Sequence, residues 1–226
     1  MVQARPVRLG FTKTGKLQFI SHLDLARTMS RIMVRAGVPI WYTEGFNPRP
    51  KLVFSLPLSI GTESECEFVD FKIVEDMPLD EIASRISAQF PPEMSVTGVW
   101  YPDHKIAEIA WAEYEIRINS SLSDETLVKK SNELLSKPLV ITKKTKSGEK
   151  EVDIKPLIKH SEASLDRGAM LVKAMLSCDS ADYLNPEYIV KAIASDAGID
   201  FEKVESEYYT ILRKSVKLAD GVTDFR

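Results

Sequence analysis

Cysteine is scarce: Cys66 and Cys178 are the only two in 226 residues. That is too few for a disulfide framework, a four-thiolate zinc site or an iron–sulfur cluster. Histidine is scarcer than its chemistry would need. His22, His104 and His160 stand far apart, and none has metal-ligand spacing to acids or cysteines. Long apolar runs are missing too, so no stretch approaches the ~20 residues of a membrane-spanning helix. The opening "MVQARPVRLG" alternates and does not resemble a signal peptide. These absences lead to the expectation of no metal, no cofactor, no membrane partner and a cytoplasmic location.

Acid is the other shortage, and it is local. Residues 1–60 hold nine Lys and Arg (Arg5, Arg8, Lys13, Lys16, Arg27, Arg31, Arg35, Arg49 and Lys51) against two acids, Asp24 and Glu44. The whole chain is nonetheless slightly negative, at a formal charge of −3. The remainder is therefore acidic. Such an uneven distribution points to an anionic partner for the first quarter and speaks against indiscriminate nucleic-acid binding by the whole.

The pattern of elements begins with "RPVRLGFT" (5–12). Val7, Leu9 and Phe11 share one face, the period-2 mark of a half-buried strand. "KTGK" reads as a turn and "LQFI" (17–20) as extended. Ser21, three residues before Asp24, caps a helix carrying Leu25, Met29, Ile32, Met33 and Ala36, with Gly37 as its stop. "KLVFSLPL" and "CEFVDFKIV" read as strands. Pro78 opens a helix carrying Ile82, Ile86 and Phe90, and "MSVTGVWY" is a strand.

A similar order follows. "AWAEYEIRI" (110–118) is a strand, and Ser121 or Ser123 opens a helix over 122–135. "LVITKK" and "KEVDIKPLI" pair around "TKSGEK". "AMLVKAMLS", a helix from Asn185–Pro186 to Gly198, and a final strand within 201–214 complete it. The fold class expected is α+β, with two ferredoxin-like (βαββαβ) units in tandem. They would be a basic domain at 1–103 and an acidic one at 104–226. The alternative is one continuous α+β domain with a shared sheet.

Two segments carry the candidate chemistry. Arg27, Arg31 and Arg35 recur at i, i+4 and i+8, which makes one guanidinium stripe along a helix. Guanidinium forks match phosphate oxygens. "GFNPRPK" (45–51) adds Arg49 and Lys51 on a proline-stiffened loop, with Phe46, Asn47 and nearby Trp41 and Tyr42. Aromatics beside cations stack nucleobases. If the loop folds over the helix, these cations face one groove; otherwise the arginines are only a solvated helix face and Phe46 is core. His22, at the first helical position, is the one candidate for general acid/base chemistry, and Asp24 either serves the helix start or orients that histidine.

"FTKTGKLQFISHLDL", "GVPIWYTEGFNPRPK" and "LPLSIGTESE" resemble the radical-SAM-linked proteins, a domain family of unknown function. The resemblance covers residues 8–73. It implies an accessory role to a radical SAM protein, which would hold the cluster that this chain, lacking CxxxCxxC, cannot. The order of elements is also similar to that of CRISPR RNA-processing endonucleases with two ferredoxin-like domains. Their glycine-rich loop near the C-terminus is missing, since the tail reads "KLADGVTDFR". The expected function is a non-catalytic RNA- or polyanion-binding accessory module, with Arg27, Arg31, Arg35, Phe46, Asn47, Arg49 and Lys51 as contacts. The alternatives are metal-independent RNA cleavage through His22, and a protein-docking module for the radical SAM partner.

Overall fold

Alternation in "RPVRLGFTK" decides the first unit. In the computed structural model, which describes residues 4–145, 148–179, 182–202 and 205–226, this segment is strand β1 (Arg5–Lys13). Val7, Leu9 and Phe11 are wholly buried on one face. The chain divides into two compact units. One runs to Glu108 and takes back Asp224–Arg226, and the other is Ile109–Thr223. Both are mixed α+β, and their described ladders are antiparallel.

In the first unit β1 is followed by α1 (His22–Arg35), β2 (Val53–Phe54), β3 (Thr62–Ile73), α2 (Leu79–Ser87) and β4 (Val96–Trp100). β1 lies between β4 and β3. Asp70 and Val69 of β3 face Arg8 and Leu9 on one side and Val53 and Phe54 on the other, so β2 occupies the far edge of β3. The spatial order is β4-β1-β3-β2. Leu25, Met29, Ile32 and Met33 of α1 and Ile82 and Ile86 of α2 pack with Val7, Leu9, Phe11, Val69 and Phe71. Spacings of three and four on the helices meet a spacing of two on the strands, so each element buries one face.

The opposite face of β1 carries Arg8, which is also wholly buried. Its Nε and Nη2 donate to the two carboxylate oxygens of Asp70 at 2.7 Å each. Nη2 also reaches the His104 carbonyl at 2.9 Å, and Nη1 the Arg226 carbonyl at 3.1 Å. The Phe225 ring centre lies 4.1 Å from the guanidinium carbon, and Phe225 meets Phe68 edge-on. Beside them Gly10 and Gly98 pair across β1 and β4, and the Trp100 indole covers both. A Cβ on Gly98 would overlap that ring.

Several expected elements differ. Residues 15–19 form a 3-10 turn where an extended run was expected, because Gly15 turns the chain at φ +57°. "KLVFSLPL" keeps only two residues in the ladder, since Pro50 and Pro57 bracket it and proline has no N–H to donate. α2 stops at Ser87, so Phe90 lies beyond it and packs edge-on against Phe11.

The second unit runs β5 (Trp111–Asn119), α3 (Glu125–Ser136), β6 (Val140–Thr145), β7 (Gly148–Asp153), β8 (Ile158–Asp166), β9 (Ala169–Ser177), α4 (Glu187–Ala197) and β10 (Tyr208–Lys217). Its ladder order is β10-β5-β9-β8, and among the described residues β6 and β7 pair only with each other. Asp124, rather than Ser121 or Ser123, caps α3 by accepting the Leu127 N–H at 2.7 Å. β8 replaces the tail of the expected "KEVDIKPLI" strand, which breaks at a 3-10 turn over Lys155–Leu157. Burial pushes the Tyr114 phenol on β5 well above its usual range. Among the described residues no helix is long and apolar enough to cross a membrane.

Asp70→Asn removes the charge that answers a buried guanidinium. The expected loss is about 3 kcal/mol, the low end for a broken buried pair, because Asp70 is partly exposed. A lower urea midpoint at unchanged m-value is the readout. Asp220 closes the turn before the chain end. It accepts the Thr223 hydroxyl at 2.6 Å and the backbone N–H groups of Val222 and Thr223, which lower its carboxyl to about 2. A depressed carboxyl stabilises above its ordinary pKa and loses that effect as pH falls through the folded value. The Asp220 contribution is thus expected to fade between about pH 4 and 2. Asp220→Asn should flatten that part of the acid-unfolding curve.

Candidate nucleic-acid interface

The second edge of β3 is where the two candidate segments meet. Trp41 donates its N–H to the Lys72 carbonyl at 2.7 Å, and Ser55 donates to Phe68 at 3.0 Å. Residues 39–41 and 53–55 therefore run along one edge, and the chain between them leaves it as an excursion. Lys51 N–H returns to the Trp41 carbonyl, Tyr42 bridges Pro50, and Thr43 N–H donates to the Arg49 carbonyl at 2.9 Å. The result is a narrow hairpin with 44–48 at its tip. Gly45 takes φ +122°, a value open to glycine, and Pro48 and Pro50 stiffen the return. Phe46 stands at the tip and is fully exposed, so the core position weighed for it is not taken. Asn47 and Arg49 are exposed beside it.

Strand alternation sorts the cations. Trp41 is opposite Lys72, and Lys72 shares its register with Pro6, on the face of the sheet away from α1. The ammonium groups of Lys51 and Lys72 lie 5.0 and 6.0 Å from the Trp41 ring centre. Both lie within the range in which an ammonium is attracted to an aromatic face, so the indole gathers two positive charges. Arg49, paired with Thr43, is two residues from Lys51 and alternates onto the same side. Pro50 alternates to the other side, where it lines a hollow of about 280 Å³ with Arg31, Val34 and Arg35. Arg31 and Arg35 thus gather with Pro50, while Lys51 and Lys72 gather about Trp41 and the stem position of Arg49 alternates to that same side. The candidate cations form two groups and not one. Lys72 was not singled out in the sequence. Its place on the outward face is readable from alternation in "CEFVDFKIV", but its meeting with Trp41 depends on strand register.

Of the other cations of the first quarter, two are taken into the fold and two stay at the surface beside an acid. Arg8 and Lys13 are buried, and Arg5 meets Asp76 at 3.4 Å and the Tyr101 hydroxyl at 3.1 Å. Arg27 lies 3.5 Å from Asp24. Asp24 serves the helix start: its N–H donates to Ser21 Oγ at 3.1 Å, and the Ser21 hydroxyl donates back to its carboxylate at 2.7 Å. His22 turns away from that cap and stands edge-on to Phe54, with ring centres 5.3 Å apart. It lines a second hollow of about 420 Å³ with Ala26, Ser30, Leu52 and Phe54.

The remaining histidines lie elsewhere. His104 bonds Glu108 at 2.9 Å. The Lys105 backbone N–H and then His104 hold that carboxyl below its ordinary range. His160 lies with Glu113, Glu162 and Lys173 on the second unit. Among the described residues no three of His, Cys, Asp and Glu converge as a metal-binding group.

Residues 6–186 match a family described as "Uncharacterized protein conserved in bacteria (DUF2344)". The match spans most of the chain, and the chain belongs to that family. Its description carries no reaction and no partner. No curated protein matches the chain. Among solved structures, the crystal structure of an unknown protein from Galdieria sulphuraria is similar at 9% identity. It covers 93% of this chain and 99% of that one, with a TM-score of 0.28. A putative dyp-type peroxidase protein from Shewanella oneidensis is similar at 13% identity. It covers 89% and 86%, with a TM-score of 0.23. Similarity at these scores supports no statement about activity.

Ser21→Ala removes the cap that seats both His22 and the arginine helix. The expected cost is about 1 kcal/mol, measured by denaturant unfolding, with Phe46→Ser as a control that stays within about 0.5 kcal/mol of the parent.

Proposed function

We propose that this chain is a non-catalytic module that binds single-stranded RNA and serves a radical SAM enzyme, with both of its units of the ferredoxin-like kind. The observation that carries the RNA reading is the hairpin over 41–51. A wholly exposed phenylalanine tips a rigid excursion whose stem bears Arg49, Lys51 and, across Trp41, Lys72. An aromatic face with no packing partner offers a platform for a base, and cations a few residues away answer the flanking phosphates. A single strand fits better than a duplex, because stacking on Phe46 requires an unpaired base. Asn47 supplies donors and an acceptor at the tip for a base edge.

The βαββαβ order and the β4-β1-β3-β2 arrangement, repeated as β10-β5-β9-β8, support the ferredoxin-like assignment. The radical SAM partner rests on the resemblance of residues 8–73 to the radical-SAM-linked proteins, as does the accessory role in a cytoplasmic setting.

The test is binding of a fluorescein-labelled oligouridylate across a salt series. Arg49→Glu with Lys51→Glu should lower the salt slope by about 0.7 for each phosphate no longer neutralised. Phe46→Ala should weaken binding by about 1–3 kcal/mol, the worth of one stacked base, and leave the slope unchanged. Parent-like affinity and slope in both variants would remove the hairpin from the reading.

A further inference from the structure

A trough runs along α1 on the side away from Trp41. Its two hollows, of about 420 and 280 Å³, share Ser30 and Pro50. One wall is the helix, from His22 to Arg35. The other is β2 and its flanks, the outermost strand of the first unit. Among the described residues β2 pairs only with β3. The ladder direction is set by Ser55, whose N–H donates inward to Phe68. Antiparallel alternation then turns the N–H and C=O of Phe54 outward, along the trough. The floor is small, with Ala26 and Ser30, while Val34 and Val53 on the rim are each about half exposed. Among the described residues no acid lines either hollow, and Arg31 and Arg35 close one end.

We infer that this trough is a second binding site, which takes an extended acidic segment of a partner protein as a short strand added beside Phe54. The outward peptide groups at the edge select an extended chain over a helix, because a helix has already used its own backbone groups. Arg31 and Arg35 select carboxylates in it. The helix spans about 20 Å at 1.5 Å per residue, enough for about six residues of strand at ~3.3 Å each. Pro50 and Pro57 keep the added ladder short, so apolar side chains on the rim supply much of the binding.

The probe is a hexapeptide of alternating Val and Asp, with a Val–Lys hexapeptide as its counterpart, added to the full chain. Amide exchange at Phe54, read by NMR, should slow with saturable dependence on the Val–Asp peptide and stay unchanged with Val–Lys. Arg31→Glu with Arg35→Glu, both on the exposed helix face, should weaken binding at least tenfold. Ala26→Trp should block it by filling the floor. Arg49→Glu with Lys51→Glu should bind the peptide as the parent does, which separates this site from the hairpin. Unslowed exchange at Phe54, or equal slowing with Val–Lys, would overturn the inference. So would slowing by oligouridylate, which gives the trough to nucleic acid. Slowing that grows with protein concentration alone would give it to a second copy.

Discussion

The guanidinium of Arg8 is the charge around which the first unit is organised. A fully buried cation must have its donors met, and here they are met from four places: Asp70 on β3, the His104 and Arg226 carbonyls, and the face of Phe225. The apolar side of β1 specifies only that the strand packs under two helices. The bidentate pair adds register, because shifting β1 by one residue would put Arg8 among the methyl groups of Leu25 and Met29 and leave Asp70 unanswered. It also explains why Asp224–Arg226 belong with the first unit although the chain reaches them last.

The prolines decide where the candidate surfaces lie. Pro50 and Pro57 confine β2 to Val53–Phe54, and the chain between 41 and 51 leaves the sheet edge. A longer ladder would have folded Phe46 and Arg49 into an ordinary strand and filled the edge. Instead the excursion presents an aromatic tip and a Lys–Trp–Lys cluster on one side of the sheet, and Pro50 closes a trough along α1 on the other. One local restriction thus yields two surfaces of different character, an exposed aromatic tip with cations on its stem and an open groove of small and apolar side chains with arginines at one end.

The second unit places its insertion at the corresponding point. The β6–β7 hairpin stands between α3 and β8, the connection that in the first unit holds the excursion between α1 and β2. In both units this connection leads to the outer strand of the ladder order. An insertion before an outer strand interrupts no interior hydrogen bonds, which makes it the least disruptive place to add chain.

Much of the fold was legible in the sequence. The period-2 faces of "RPVRLGFT" and "AWAEYEIRI", the Ser21–Asp24 helix start and the helix stops at Gly37 and Gly198 all follow from local physics: alternation, capping and positive φ act within a few residues. The arginine stripe and the stiffness of "GFNPRPK" were legible for the same reason. Only the tertiary structure decided which cations remain available. Burial of Arg8 and Lys13 depends on strands distant in the chain, and the splitting of Arg31 and Arg35 from Arg49 and Lys51 depends on which side of one sheet edge each falls. β8 stayed hidden because "HSEASLD" carries little apolar side chain; its partner β9 specifies it through pairing. Sequence determines the faces of its elements because those faces are local, and tertiary structure determines which faces meet because that is settled by register between distant strands.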